Sequence, residues 1–359
     1  MRVCFYHAEP EWSGRARAFA DAAVALRARG YEVTFVCERG SAVQRRLTVA
    51  GHDAIGIRTR GMWPGVAFRL GRVLRRNFSE AVFVHSEREQ LQAAAAARFA
   101  DRGAIVRRMP PFGSLTLGAD ARFAARIAAT GFLFVFDADL RAARPPARAL
   151  EPFVAPPAVV PVPMTPAIVR GDAARHIVCF FGVESRGAAS VALRTAALLA
   201  ERHREIRFTL LGPVDKREAL KLQCAALGIV DRVELPLADA TERSDRAAIA
   251  GADFGWVLSG GDDGMFAMLD CFAAGVPVVT EQNPLSGRLV RDGETGVLTG
   301  TIDPAESAAV FAGLLADPVR RDRLARGAIK AAAAWPFDAM TDGFVRAITA
   351  ARDRTRWRG

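Results

Sequence analysis

Short apolar runs alternate with longer stretches of helical period along most of the chain. Residues 2–6 read as a first strand. Residues 14–28 read as a helix with Phe19, Ala23 and Leu26 on one face. Residues 31–37, 54–57, 81–85, 105–108 and 132–136 continue the strand series, and 90–100 reads as an alanine-rich helix. Between Ala142 and Pro166 lie eight prolines, a density that predicts no regular structure. A link between domains is expected there, ending near Ala174. The alternation then restarts, with strands expected at 176–181, 207–211, 232–235, 254–258, 276–280 and 296–298. Helices are expected at 188–202, 216–227, 265–274, 304–315 and 318–334. Strands alternating with helices predict an α/β protein with parallel sheets.

Composition sharpens this picture. A chain of 359 residues suits two domains rather than one core. With 51% hydrophobic and 25% charged residues it has a soluble globular balance, and no apolar run is long enough to span a bilayer. The start, Met1-Arg-Val-Cys-Phe-Tyr-His, turns polar too soon for a signal peptide. Five scattered cysteines without CxxC spacing predict buried, reduced thiols, a cytoplasmic setting and no zinc site. The net charge of +10 lies wholly in residues 1–165, which hold 24 basic and 14 acidic residues. That half is expected to face something anionic. No aromatic–basic RNA motif accompanies the charge, so nucleic acid is not the expected partner.

The candidate chemistry gathers at Ser259-Gly-Gly-Asp-Asp-Gly-Met-Phe-Ala-Met-Leu-Asp-Cys-Phe-Ala-Ala-Gly-Val-Pro-Val278. Asp262 and Asp270 stand eight positions apart. Read with a helix from Met265, Asp262 falls in the preceding loop and Asp270 about two turns into the helix. Free N–H groups at that helix start would favour a diphosphate. A carboxylate beyond them would accept hydrogen bonds from sugar hydroxyls. The same residues also fit a solvated acidic loop before an ordinary core helix.

This segment resembles the acidic-x7-acidic signature of retaining GT-B glycosyltransferases, the group called family 4, with Asp at both ends where that family usually has Glu. The resemblance extends over most of the chain. Phe208-Thr-Leu-Leu-Gly-Pro213, Leu227-Gly-Ile-Val-Asp-Arg-Val-Glu-Leu235 and Val290-Arg-Asp-Gly-Glu-Thr-Gly-Val-Leu298 are each similar to a family segment in the same order. It implies two Rossmann-like domains facing each other across a cleft: 1–165 as the N-terminal acceptor domain and 166–335 as the nucleotide-sugar domain. Residues 336–359, after Ala334-Trp-Pro-Phe337, would be a helix crossing back to the first domain.

The resemblance also implies roles. Asp270 would hold ribose hydroxyls, and Asp262 would contact the transferred sugar. Backbone N–H groups of Gly264, Met265 and Phe266 would face sugar and phosphates, and the base would lie near Leu235. Arg186, in the loop after Gly182, would bind the diphosphate through its charged fork. Gly14 in the first strand–helix loop would approach the donor. Arg15 and Arg17, with Arg107 and Arg108, would meet an anionic acceptor. His85 matches a histidine that the family often has at that strand end, although a structural histidine fits as well. A second family histidine, expected near Arg107, is absent.

Two stretches stand apart. Asp137 and Asp139 follow a strand in the manner of a metal-bound donor site of the GT-A type, but the two-halves pattern does not fit that fold, and no metal is expected. Residues 62–76 mix aromatics with arginines; as a helix they fit either a core helix with a solvated basic face or contact with an anionic membrane.

The reading that follows is transfer of a sugar from a UDP- or GDP-linked donor to a hydroxyl acceptor, anionic or lipid-linked, with retained configuration and no required cofactor. A place at the inner face of the membrane is expected. The alternatives are a non-catalytic GT-B protein that binds a nucleotide sugar or partners an active subunit, and a nucleotide-sugar epimerase.

Overall fold

The computed structural model describes residues 1–113, 115–145, 149–159, 175–182, 187–212, 217–235 and 242–356. The chain forms two compact units. Met1–Ala158 with Phe337–Gly359 make the first, and Val159–Pro336 the second.

The first unit runs β1 (Arg2–His7), α1 (Gly14–Ala28), β2 (Glu32–Glu38), α2 (Ala42–Val49), β3 (Asp53–Ile57) and α3 (Trp63–Arg76). It continues β4 (Ala81–Val84), α4 (Glu87–Ala100), β5 (Ala104–Arg108), α5 (Ala119–Ile127), β6 (Thr130–Phe134), α6 (Asp137–Ala142) and β7 (Phe153–Val154). The sheet order is β3-β2-β1-β4-β5-β6-β7, with parallel ladders. Strands such as β4 and β5 are buried on both faces, which explains their continuous apolar runs. Phe5, Phe19, Phe35 and Phe83 fill the core on one face. Val82, Val84, Ile105 and the alanines of α4 fill the other.

The Pro-rich segment is not wholly irregular, as its composition had suggested. Phe153 and Val154, between Pro152 and Pro156, pair with Leu133 and Phe134 as an edge strand. Proline is tolerated there because an edge leaves one side of the ladder unbonded. The rest of the expected link, 160–174, lies outside the described residues.

The second unit runs β8 (His176–Phe180), α7 (Ala188–Ala200), β9 (Arg207–Leu211), α8 (Arg217–Ala226), β10 (Val233–Glu234), α9 (Glu242–Ala250) and β11 (Phe254–Val257). Then come α10 (Gly261–Ala273), β12 (Val278–Glu281), α11 (Ser286–Leu289), β13 (Gly296–Thr299), α12 (Pro304–Ala316) and α13 (Pro318–Ala332). Its sheet order is β10-β9-β8-β11-β12-β13, again with parallel ladders. Trp256, Phe254 and Phe311 pack together in its core.

The last helix, α14 (Phe337–Arg356), belongs to the first unit. Its Phe344 meets Phe5 and Phe83, and Arg29, just after α1, bonds both Asp338 and Asp342.

Candidate functional site

In both sheets the strand order reverses at a central pair, β1 and β4 in the first unit and β8 and β11 in the second. Connections leave such a pair on opposite sides, so a crevice opens beyond their carboxyl ends. Gly14, His85, Gly182 and Asp262 fall at these two switch points.

In the second unit, Gly182 follows β8 and α10 follows β11. The two come together closely. A Cβ placed on Gly182 would lie 2.5 Å from Asp263 Oδ2. Asp262 is 5% exposed in the first turn of α10, and Asp270 is half-buried two turns later, about 12 Å along the axis.

The helix starts earlier than its sequence suggests, at Gly261 rather than Met265. Gly260 and Gly261 make the turn themselves, Gly261 with φ +56°. The two aspartates then occupy the first turn, where the positive end of the helix favours them. Three expectations change with this start. Asp262 lies in the helix, not in a loop before it. The Gly264 N–H donates to Gly260 O at 3.0 Å, so the helix tip is formed by residues 261–263 and not by 264–266. Met265 and Phe266 are core side chains. Gly264 is required for another reason: a Cβ there would sit 2.0 Å from Ser259 O. Leu235, just after the edge strand β10, packs in the core of the unit. Arg186 lies outside the described residues.

At the first unit's switch point the centre is a carboxylate that motif reading overlooked. Glu89 is buried at the third position of α4. It accepts from the N–H groups of Ala8 (2.6 Å), His85 (3.0 Å) and Ser86 (2.9 Å). Ser86 Oγ accepts from the Glu89 N–H in return, completing a capping box. One side chain thus ties the end of β1 to the end of β4. His7, the last residue of β1, is 1% exposed and has its Nδ1 3.8 Å from Glu89 Oε1. The His7 and His85 rings meet edge to face at 5.7 Å. The His85 ring also stacks on Phe19 at 3.8 Å. Burial, with the Arg108, His7 and Arg15 charges, pushes His85 well below the ordinary histidine range, and a bond to the Arg15 backbone opposes this only in part. His85 is therefore a neutral imidazole at neutral pH. Tyr6 donates to Gln92 Oε1 at 2.6 Å beneath it.

The charges of Arg15 and Arg108 both act on His85. Gly14 is the first residue of α1, after Ser13. Arg15 pairs with Glu9 at 2.9 Å and Arg17 with Asp21 at 3.4 Å. Arg107 is buried and committed locally, donating to His85 O (3.2 Å), Glu87 Oε1 (3.3 Å) and Gln90 Oε1 (3.4 Å). Arg108 is 4% exposed. Asp137 and Asp139 lie in the first turn of α6, and Asp139 accepts from the Phe112 N–H at 3.1 Å. Among the described residues no cluster of His, Cys, Asp and Glu has the arrangement of a metal site.

Residues 175–317 match the family described as Glycosyl transferases group 1. The chain is 32% identical over 194 residues to a D-inositol 3-phosphate glycosyltransferase of Thermomonospora curvata, covering 50% of this chain and 43% of that protein. It is 33% identical over 192 residues to a protein of the same description from Thermobispora bispora, covering 50% and 44%. The chain therefore spans under half the length of these relatives. Among solved structures, the Anabaena protein Alr3699/HepE in complex with UDP-glucose superposes with a TM-score of 0.72 at 14% identity, covering 98% of this chain and 100% of that one. The two parallel Rossmann-like sheets and this likeness define a GT-B fold.

Proposed function

We propose that this chain is a glycosyltransferase that takes a sugar from a nucleotide diphosphate sugar, UDP- or GDP-linked, and passes it to a hydroxyl acceptor. The observation that carries this reading is the position of α10. Its acidic pair stands at the switch point of the second unit, inside the stretch that matches the glycosyltransferase family. Asp270 receives the ribose hydroxyls, Asp262 the transferred sugar, and Arg186 the diphosphate. Departure of a diphosphate without a metal ion needs fixed cations or dipoles. Arg186 and the tip of α10 supply them here, and retention of configuration follows the family resemblance.

The acceptor is assigned to the first unit, beside His85, Arg15 and Arg108. A neutral imidazole with two nearby guanidinium groups suits a hydroxyl on a molecule that also carries an anionic group. The net positive charge of this half of the chain supports our reading that it works at the inner face of a membrane, in the cytoplasm. No helix among the described residues is long and apolar enough to cross a membrane.

Thermal-shift titration tests the donor part directly, because a ligand that binds only the folded state raises the melting temperature. UDP or GDP should give a clear shift, NAD none, and Asp270→Ala should abolish it. An unchanged shift in that variant would remove the ribose assignment. Transfer that survives EDTA, with the product anomer read by NMR, tests the metal and stereochemical parts.

One observation favours a second reading. Asp263 brings its carboxylate over Gly182, where a diphosphate would approach. A non-catalytic protein that binds the nucleotide sugar weakly, or supports an active partner, fits that repulsion. UDP-glucose binding without turnover toward any acceptor would select it.

A further inference from the structure

Helix α3 carries two unlike faces. Val66, Ala67, Leu70 and Leu74 point inward, and Gly71 lets the helix approach α4 closely, since a Cβ there would lie 3.1 Å from Ala96 O. The outer face is not the purely charged surface of an ordinary amphipathic helix. Phe68, Arg72, Arg75 and Arg76 follow one another at i, i+4, i+7 and i+8, which is one side of a helix. Phe68 is 58% exposed, and at the amino end Met62 and Trp63 are 85% and 41% exposed.

The charge around this face is of one sign. Residues 58–76 contain six arginines and no acidic residue. Among the described residues none of Arg69, Arg72, Arg75 and Arg76 forms an ion pair; Arg69 donates to Arg58 O, and Arg75 to Phe99 O. The exposed large aromatic side chains among the described residues, Trp63, Phe68, Phe78, Phe99 and Phe123, all belong to the first unit. Residues 1–165, which make up most of that unit, carry the whole net charge of +10. Leaving bulky apolar groups in water is unfavourable, and leaving several arginines without counter-charges gives a strong positive field. A single surface relieves both: one with an apolar interior and an anionic rim.

We propose that the outer face of α3 lies on an anionic lipid bilayer, with Met62, Trp63 and Phe68 entering the headgroup–acyl boundary and Arg72, Arg75 and Arg76 meeting lipid phosphates. This deepens the membrane contact in the proposed function and rests on that reading only for what the contact delivers. The lipid surface itself needs neither donor nor acceptor. A convex helix face with indole and phenyl rings beside guanidinium groups suits a bilayer interface. A single-stranded nucleic acid would instead want a groove with stacking platforms.

Vesicle flotation of the whole chain tests this. Phosphatidylcholine vesicles should retain little protein, and vesicles containing phosphatidylglycerol should retain most of it at low salt. Arg72→Glu with Arg76→Glu should weaken that binding at least about tenfold, given what each cation contributes near an anionic surface. Trp63→Ala with Phe68→Ala should weaken it on the same order, even at low salt. Arg323→Glu with Arg326→Glu makes the same change in net charge on α13 of the second unit and should leave binding within about twofold. No binding to phosphatidylglycerol vesicles overturns the proposal, as does equal weakening by the α13 pair. Tighter binding to an oligonucleotide, lost in the α3 variants, overturns it in favour of nucleic acid. The UDP thermal shift, measured on every variant, separates these outcomes: it should persist in all of them, whereas failure of the glycosyltransferase reading would remove it from the parent chain.

Discussion

Replacing Glu89 by Ala removes a side chain that ties the end of β1 to the end of β4. Its carboxylate accepts three backbone N–H groups, from Ala8, His85 and Ser86, in a buried setting. Bonds to a charged acceptor contribute roughly 1.5–3 kcal/mol each, and water refilling the space would restore part of that. A net loss of about 4 kcal/mol is the reasonable expectation. For a unit of this size each kcal/mol moves the melting temperature by roughly 2–4 °C, so the first unit should melt on the order of 10 °C lower. Scanning calorimetry of the whole chain, with and without UDP, reads this out. On the proposed donor site, UDP should mark the transition of the second unit, which should not move in the variant. Glu89→Gln keeps one carbonyl acceptor and should fall between parent and Ala. A Glu89→Ala chain that melts within about 2 °C of the parent would refute the staple, because even one lost bond to a charged group should exceed that shift.

Other outcomes follow from the same geometry. Gly264→Ala should destabilise the second unit by more than about 2 kcal/mol and suppress the UDP shift, since its Cβ would meet Ser259 O at 2.0 Å; urea unfolding checks it. Stability should fall as pH drops from about 6.5 toward about 4. In that window His52, held low by burial and by Arg27, takes up a proton more readily in the unfolded chain, and His85 behaves in the same sense. The loss should shrink in His52→Gln, as melting temperature against pH would show. All five cysteines are buried. Burial pushes the Cys37 thiol up to about 12 and Cys271 well above its usual range. An aromatic disulfide reagent should therefore label none in the native chain and all after denaturation.

The sequence by itself determined the alternation of elements, hence two parallel sheets, because continuous apolar runs and helical periods are local properties of the chain. It located α1 at its observed bounds and brought attention to Asp262, Asp270 and His85. It also placed the positive charge in the first unit. The faces of α3 were only partly readable: helical spacing groups Phe68, Leu70, Val73 and Leu74 on one side, whereas the structure buries Val66, Ala67, Leu70 and Leu74 and leaves Phe68 exposed.

Tertiary structure alone decided what those residues touch. The run Gly260-Gly-Asp-Asp-Gly reads as a turn, but only the first two glycines turn; the aspartates then begin α10, and the close approach of Ser259 O forces glycine at 264. Ser86 and Glu89 stand at capping-box spacing, a local signal that motif reading passed over, and the reach of Glu89 to Ala8, 81 residues away, depends on β1 lying beside β4. His7 entered the site for the same reason. Arg107 looked like an anion ligand and proved to be bound to its own neighbours. Periodicity reports which side of an element is buried, whereas partners across a parallel sheet are fixed by strand order, which no local pattern encodes.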